Sequence, residues 1–349
     1  MPQDAPETTC YEAYFDTIQS RKKLPLQMQE RLTAAFEEIP ASFFPIVPSG
    51  KVIEISADAS VAEAVKILFD SKIMAAPVSN PDANTTNWRD RYLGIIGYST
   101  IILWVLEREE MAKTPNNIGE DFYKEPFEST PVRALLKNYC WASFFPMETN
   151  SSMLSLLLLL SKYGLHHVPV IEHDNPNITN FITQFAVVQG LQKCKGRDWF
   201  DLLTEMPISD VGLPFMPPEQ VVTVQSNERV LEAFKKMKDN EIGGVPVVEG
   251  PGKKMVGCLT TRDIGYLCMK PELGDIRDCT VMRYLESIGG DREMVTCEMN
   301  ASLGSVIEKL NCNFVHRIHV VSGDFEVIGV ITLRDVISCF IHEPKNNIN

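Results

Sequence analysis

The chain has 349 residues, 44% of them hydrophobic and 23% charged, enough apolar material for the cores of two or three domains. With 46 Asp and Glu against 33 Lys and Arg, its formal charge of −13 repels nucleic-acid phosphates and anionic lipid, so a polyanion would need a locally basic pocket. No apolar run nears the roughly 20 residues that span a bilayer, and the first 30 residues lack the basic region and apolar core of a secretory leader. No nucleic-acid or membrane partner is expected, and the location reads as cytoplasmic or nuclear. Nine scattered cysteines without a C-x-x-C pair argue against a disulfide framework or a zinc site.

In chain order, residues 1–50 read as a polar tail, a helix around Gln29 to Glu38 and a Pro-punctuated connector. Four helical stripes follow, each apolar at i, i+3, i+4 and i+7: Val61, Ala64, Val65, Leu68; Met153, Leu156, Leu157, Leu160; Val230, Ala233, Phe234, Met237; and Leu303, Val306, Ile307, Leu310. Sixteen residues after the first residue of each stripe, at Pro77, Pro169, Pro246 and His319, lies the same point of a short β-rich run. A second apolar run comes next, Tyr92 to Ile96, Asn180 to Ile182, Met255 to Leu259 and Val327 to Ile331, and opens into another helical pattern. Short strand candidates such as Val52 to Ile55 and Val221 to Val224 precede the stripes, and Ser60, Ser152, Asn227 and Ser302 stand where helix N-caps belong.

The expected class is therefore α/β (α+β), built from four β-α-β-β-α repeats at 51–112, 129–197, 218–273 and 279–345. Residues 113–128 and 198–217 read as linkers, and Asp210 to Glu219, with Pro214, Pro217 and Pro218, separates the halves. One unit has too few strands to cover its helices, so the repeats should pack in pairs.

The last strand of the third and fourth units runs into Thr-x-x-Asp: Thr260-Thr261-Arg262-Asp263 and Thr332-Leu333-Arg334-Asp335. By itself such a tetrapeptide is a helix capping box as readily as a ligand site, and the two roles can coexist. A β-α-β-β-α repeat ending in this motif resembles the CBS domain, which implies two tandem pairs, or Bateman modules. Four such units with no catalytic domain attached resemble the gamma subunit of the AMP-activated and sucrose-nonfermenting-related protein kinases. The likeness covers about residues 30–345, and RLTAAFEEIPASFFP, LLLLSKYGLHHVPVIE and VHRIHVVSGDFEVIGVITLRD resemble the plant members.

The resemblance implies a non-catalytic, energy-sensing regulatory subunit that binds AMP, ADP or ATP in clefts between repeats, requires no metal, and holds a kinase alpha subunit and a scaffolding beta subunit. Asp263 and Asp335 would accept the ribose diol, two acceptor oxygens facing two hydroxyls. Thr260 and Thr332 would add hydroxyl contacts near the same helix N-termini, where free N–H groups favour anions. His316-Arg317 resembles the family's phosphate-contacting pair. His166-His167 falls at the corresponding position of the second unit, with His167 in place of the Arg of animal members, so its contact would be pH-dependent.

Without the repeat, His316 and Arg317 would read as an exposed strand end with a surface cation. A metal site from His316 and His319 is disfavoured, because odd spacing on a strand sends the side chains to opposite faces. At the ribose position the first two units carry Thr100 and Ala186, neither a carboxylate. Met74 and Phe185 stand where animal members have a phosphate-contacting Arg and a Lys. Weak or absent ribose recognition is expected there, leaving at most two nucleotide sites. No nucleotide-loop, zinc-protease or nucleophile-elbow motif is present, and Gly250-Pro251-Gly252 reads as a hairpin turn. Two rival readings are an assembly platform with weak or no nucleotide regulation, and a CBS regulator of another client.

Overall fold

The structure, a computed structural model, describes residues 10–44, 51–83, 87–112, 124–138, 144–173, 175–269, 276–289 and 294–342. Two helices lead, α1 (Cys10–Arg21) and α2 (Leu26–Glu38). Repeat 1 comprises β1 (Ile55–Ser56), α3 (Val61–Asp70), β2 (Ala75–Ser79), the short α4 (Trp88–Arg91), β3 (Tyr92–Gly97) and α5 (Tyr98–Ala112). After α6 (Lys124–Ser129) and α7 (Val132–Asn138), repeat 2 runs through β4 (Met147–Glu148), α8 (Met153–Ser161), β5 (His167–Glu172), β6 (Asn175–Thr183) and α9 (Gln184–Gln192). Helix α10 (Asp198–Thr204) leads to repeat 3: β7 (Val224–Gln225), α11 (Val230–Asp239), β8 (Gly244–Glu249), β9 (Lys254–Thr260), a 3-10 turn Thr261–Ile264 and α12 (Gly265–Met269). Helix α13 (Val281–Ser287) precedes repeat 4, which is β10 (Thr296–Cys297), α14 (Leu303–Cys312), β11 (Arg317–Val321), β12 (Val327–Thr332) and α15 (Leu333–Cys339).

Each repeat builds a three-stranded sheet with the proline-bearing or His319-bearing strand in the middle, parallel to the first strand and antiparallel to the last. The residue after Pro77, Pro169, Pro246 or His319 meets the first strand in all four, as in Ile55↔Val78 and Cys297↔Val320. The first strands are two residues long and sit later than expected, at Ile55–Ser56 and Val224–Gln225. Ser60, Ser152 and Ser302 cap their helices through the side-chain oxygen. Asn227 does not: α11 starts at Val230 behind Arg229, which makes no side-chain cap bond.

The leading segments are exchanged within pairs. The first amide of each stripe helix needs an acceptor from outside that helix. Val61 N donates to Thr130 O and Met153 N to Ile39 O; Val230 N donates to Cys279 O and Leu303 N to Met206 O. The segment that leads into one repeat thus docks on its pair partner, tying repeat 1 to 2 and repeat 3 to 4. Residues 198–217 are accordingly no loose linker, because Phe200, Leu203, Ile208, Val211 and Leu213 are buried in a core shared by repeats 2 and 4. Likewise Phe127, placed in the 113–128 linker, is buried in α6 edge-on to Trp104; residues 113–123 lie outside the described residues.

Two large cores run between the pairs rather than within them. One joins the helices of repeats 1 and 3, the other those of repeats 2 and 4 together with Phe15, Leu32 and Phe36. Within pairs the sheets meet over smaller clusters: Val52, Tyr92 and Ile178 between repeats 1 and 2, and Val221, Val248, Met255, Val321 and Val327 between repeats 3 and 4. The four copies therefore close into a ring of alternating helix and sheet contacts. Residues 10–21, read as part of a polar tail, instead form α1, whose Phe15 and Ile18 are fully buried.

Candidate functional site

On β11, Ile318 and Val320 point into the helical core, so Arg317 and His319 face the opposite side, toward the seam with repeat 3. Arg317 spans that seam, its Nη1 donating to Gly244 O at 2.7 Å. Gly244 opens β8 opposite Thr260, the first residue of the third repeat's motif. Two glycines give the guanidinium its room: a Cβ at Gly243 would lie 2.8 Å from Nη2, and one at Gly244 would lie 3.1 Å from Nε. Asp263 is fully buried, its Oδ2 accepting from Thr260 N at 2.7 Å and Thr260 Oγ1 at 2.9 Å. Tyr284 Oη donates to the Asp263 carbonyl at 2.6 Å and fixes the turn from below.

The fourth motif repeats this cap, with Asp335 Oδ2 accepting from Thr332 N at 2.7 Å and Thr332 Oγ1 at 2.8 Å. Both motifs are thus capping boxes, which alters the expected chemistry. A carboxylate oxygen has two lone pairs, so Oδ2 is already filled in each acid, and a ligand hydroxyl has to be met at Oδ1. At Asp335 the Tyr14 hydroxyl from α1 donates to Oδ1. Neighbouring Arg334 turns to repeat 2, donating from Nε to Ser161 O at 2.6 Å and from Nη2 to Lys162 O at 3.2 Å.

The histidines gather with these cations. The His316 ring lies 5.5 Å from Phe185, His166 lies 6.0 Å from His167, and His167 lies 5.3 Å from Phe181. Burial, then the charges of Arg317, His166 and Arg262, push His316 down to about 4. Burial and His166 push His167 down to about 3. His166, an exposed residue, is also lowered, by desolvation and then by Arg317 and Arg334. Burial also lowers Arg317 from its usual value. At neutral pH these imidazoles are uncharged donors and acceptors, and the guanidinium groups carry the positive charge. His319 is 2% exposed, its Nε2 has no hydrogen-bond partner among the described residues, and burial and Arg317 hold it at about 3.

The seam between repeats 1 and 2 is filled differently. Trp88, Phe144 and Tyr92 form a stack with successive centroids 5.7 Å apart. Tyr92 Oη donates to Glu54 Oε1 at 2.5 Å and accepts from Ile178 N at 3.1 Å. Thr100 is buried in the first turn of α5, and Ala186 stands in the first turn of α9, its amide capped by Thr183. Phe185 lies against His316, and Met74 offers its carbonyl side to Gly97.

The CBS domain family matches residues 208–265 and 286–342, which hold the third and fourth sheets. Over 96% of this chain and 92% of the other, the sequence is 46% identical to the Arabidopsis thaliana SNF1-related protein kinase regulatory subunit gamma-1-like. The chain belongs to this gamma regulatory subunit family. A second Arabidopsis relative, SNF1-related protein kinase regulatory subunit gamma-1, is 33% identical over 95% of this chain and 88% of its own, in keeping with the plant branch. Among solved structures, a Methanocaldococcus jannaschii protein described as a proposed archaeal homologue of g-AMPK superposes with a TM-score of 0.63 at 18% identity, over 83% of this chain and 96% of its own; that likeness shows the fold.

As in its relatives, the role of a gamma subunit is regulatory and not catalytic. Among the described residues no three metal-ligating side chains cluster, and no helix is long and apolar enough to cross a membrane. Of the eight site residues expected from sequence, Arg317 joins both motifs: its guanidinium reaches Gly244, which pairs with Thr260, and its own strand partner is Thr332. Asp263 and Asp335 accept from those two threonines, Asp335 also from Tyr14 of α1, and His316, His166 and His167 adjoin Arg317 electrostatically. Sequence reasoning missed Gly243, Gly244, Arg334 and Tyr14. A signal for the glycines existed: the residue pair that opens the central strand reads Met74-Ala75, His166-His167, Gly243-Gly244 and His316-Arg317, so in the second pair of repeats two small residues of repeat 3 stand where repeat 4 has two large ones.

Proposed function

We propose that the seam between repeats 3 and 4 binds an adenine nucleotide and passes its occupancy to a kinase held by this subunit. The observation that carries the reading is Arg317 of repeat 4 reaching Gly244 beside the Thr260–Asp263 motif of repeat 3. Among the described residues Arg317 makes this one hydrogen bond, and a guanidinium has five donors, so most of the fork remains for a phosphate. Asp263 Oδ1 would take a ribose hydroxyl, Thr260 would hold the acid in place, and His316, His166 and His167 would line the phosphate end. AMP, ADP and ATP differ in charge and length, so their contacts with Arg317 and the histidines differ; such differential binding is what lets a ligand shift a conformational equilibrium.

Partners follow from the family: a catalytic alpha chain and a scaffolding beta chain, in the cytoplasm or nucleus. The repeat boundaries proposed from sequence, 51–112, 129–197, 218–273 and 279–345, remain our division of the chain, with each leading helix assigned to the pair rather than to one repeat. The aromatic stack of Trp88, Phe144 and Tyr92 favours a second role for the first pair, as an assembly platform without nucleotide. Thermal denaturation with AMP, ADP and ATP tests the reading. At 100 times its dissociation constant a ligand stabilises by about 2.7 kcal/mol, and Asp263→Ala and Arg317→Gln should abolish that shift. No shift with any of the three would leave the platform reading in its place.

A further inference from the structure

Asp335 and Asp263 hold equivalent places and equivalent caps, but Asp335 is met by a residue 321 positions away in sequence. The Tyr14 hydroxyl donates to Asp335 Oδ1. Its ring touches both the Phe215 ring, centroids 3.9 Å apart, and the Arg334 guanidinium, 4.2 Å from the ring centre. The helix carrying it is firmly anchored. Phe15 and Ile18 are fully buried, and Arg21 Nη1 donates to Phe215 O at 2.6 Å. Gln19 Nε2 donates to Ser338 O at 3.2 Å and Lys22 Nζ to Ile341 O at 2.7 Å, supplying carbonyls that the end of α15 leaves unpaired.

A vicinal diol brings two donors to the carboxylate. With Oδ2 filled by Thr332 and one lone pair of Oδ1 taken by Tyr14, a single acceptor position remains. The Tyr14 ring, held against an aromatic ring and a cation, also occupies space beside the acid. We propose that α1 is an in-cis occupant of the fourth repeat's site: the Tyr14 hydroxyl holds the place of a ligand hydroxyl on Asp335, and a ribose binds there only when Tyr14 moves away. This rests on the nucleotide reading above and adds that α1 governs the fourth repeat's acid separately from the Asp263 seam. Access to Asp335 then depends on whatever engages α1.

The test is calorimetric titration of the full-length chain with AMP, comparing wild type, Tyr14→Phe and Tyr14→Ala, each with and without Asp335→Asn. Wild type should bind one nucleotide, lost in Asp263→Ala. Tyr14→Ala should gain a second, which Asp335→Asn removes. Tyr14→Phe keeps the ring and the packing of α1 but lacks the hydrogen bond, and should bind a second nucleotide at AMP concentrations about tenfold or more below any at which wild type does. A wild type that fills two sites with affinities unaltered by either Tyr14 substitution would overturn the proposal, as would Tyr14 variants that gain no second site. In both cases the Asp263 site still binds, so the nucleotide reading survives. Absence of binding in every variant would overturn both.

Discussion

Replacing Gly243 with alanine separates the fold from the proposed site. Gly243 has no unusual backbone angle and its carbonyl accepts from Thr261 N at 3.0 Å, so an alanine keeps the backbone and its bond. The new Cβ would lie 2.8 Å from Arg317 Nη2, where ordinary contact begins near 3.4 Å, so the guanidinium has to withdraw by about 0.6 Å. Its bond to Gly244 O weakens at a cost of about 1 kcal/mol. The lower entropy of an unfolded chain bearing Ala in place of Gly offsets that by about 0.4–1 kcal/mol. Urea denaturation should therefore show a stability within about 1 kcal/mol of wild type. Nucleotide binding should suffer more: losing one of two charge-assisted bonds to phosphate removes about 1.5–3 kcal/mol, roughly 10- to 100-fold in affinity. Calorimetry in wild-type and Arg317→Ala backgrounds makes the attribution explicit, since the substitution should have no further effect where the guanidinium is gone. Unchanged affinity in the wild-type background, or an equal loss in both, would refute the reasoning.

Three further outcomes are expected. His319 is held at about 3, below the ordinary 6.5; the unfolded chain therefore takes up this proton first, so its contribution to stability is complete above about pH 6.5 and is lost as pH falls toward 3. The loss at pH 5 is about 2 kcal/mol, and urea denaturation at pH 7.5 and 5 should show the difference shrinking by about that amount in His319→Val. A bound phosphate would raise His316 from about 4, so binding takes up protons. The dissociation constant for AMP should fall as pH drops from about 7.5 to 5.5, an effect reduced in His316→Gln, where only His166 and His167 remain to take up protons; a pH-independent wild type would contradict the placement of phosphate. Phe15→Ala empties a fully buried position and should cost about 3–5 kcal/mol in chemical denaturation, whereas a polar tail would tolerate it.

What was legible in the sequence follows from which interactions leave a periodic side-chain trace. The stripes of α3, α8, α11 and α14 bury one face each, and the central strands at Pro77, Pro169, Pro246 and His319 are buried on both faces as short apolar runs, so pattern and spacing located them within a residue or two. The exchange of leading segments left no such trace, because Ile39, Thr130, Met206 and Cys279 act through backbone carbonyls that any residue carries. Asn227 looked like a cap by type, but the apolar stripe and not the nearest Asn decided where α11 begins. Helix α1 escaped notice because the partners that bury Phe15 and receive Tyr14 lie at the far end of the chain. At the proposed site, Asp263 and Arg317 were singled out by motif and resemblance, and Thr260 by its three-residue spacing. The loss of Oδ2 to the cap becomes visible only with coordinates.

The most direct measurement is the electron density of the full-length chain co-crystallised with AMP. The account predicts a nucleotide in the seam of repeats 3 and 4, with a ribose hydroxyl on Asp263 and phosphate on Arg317, and none among Trp88, Phe144 and Tyr92. A nucleotide bound away from both Asp263 and Arg317, or a seam that stays empty at saturating AMP, would contradict it.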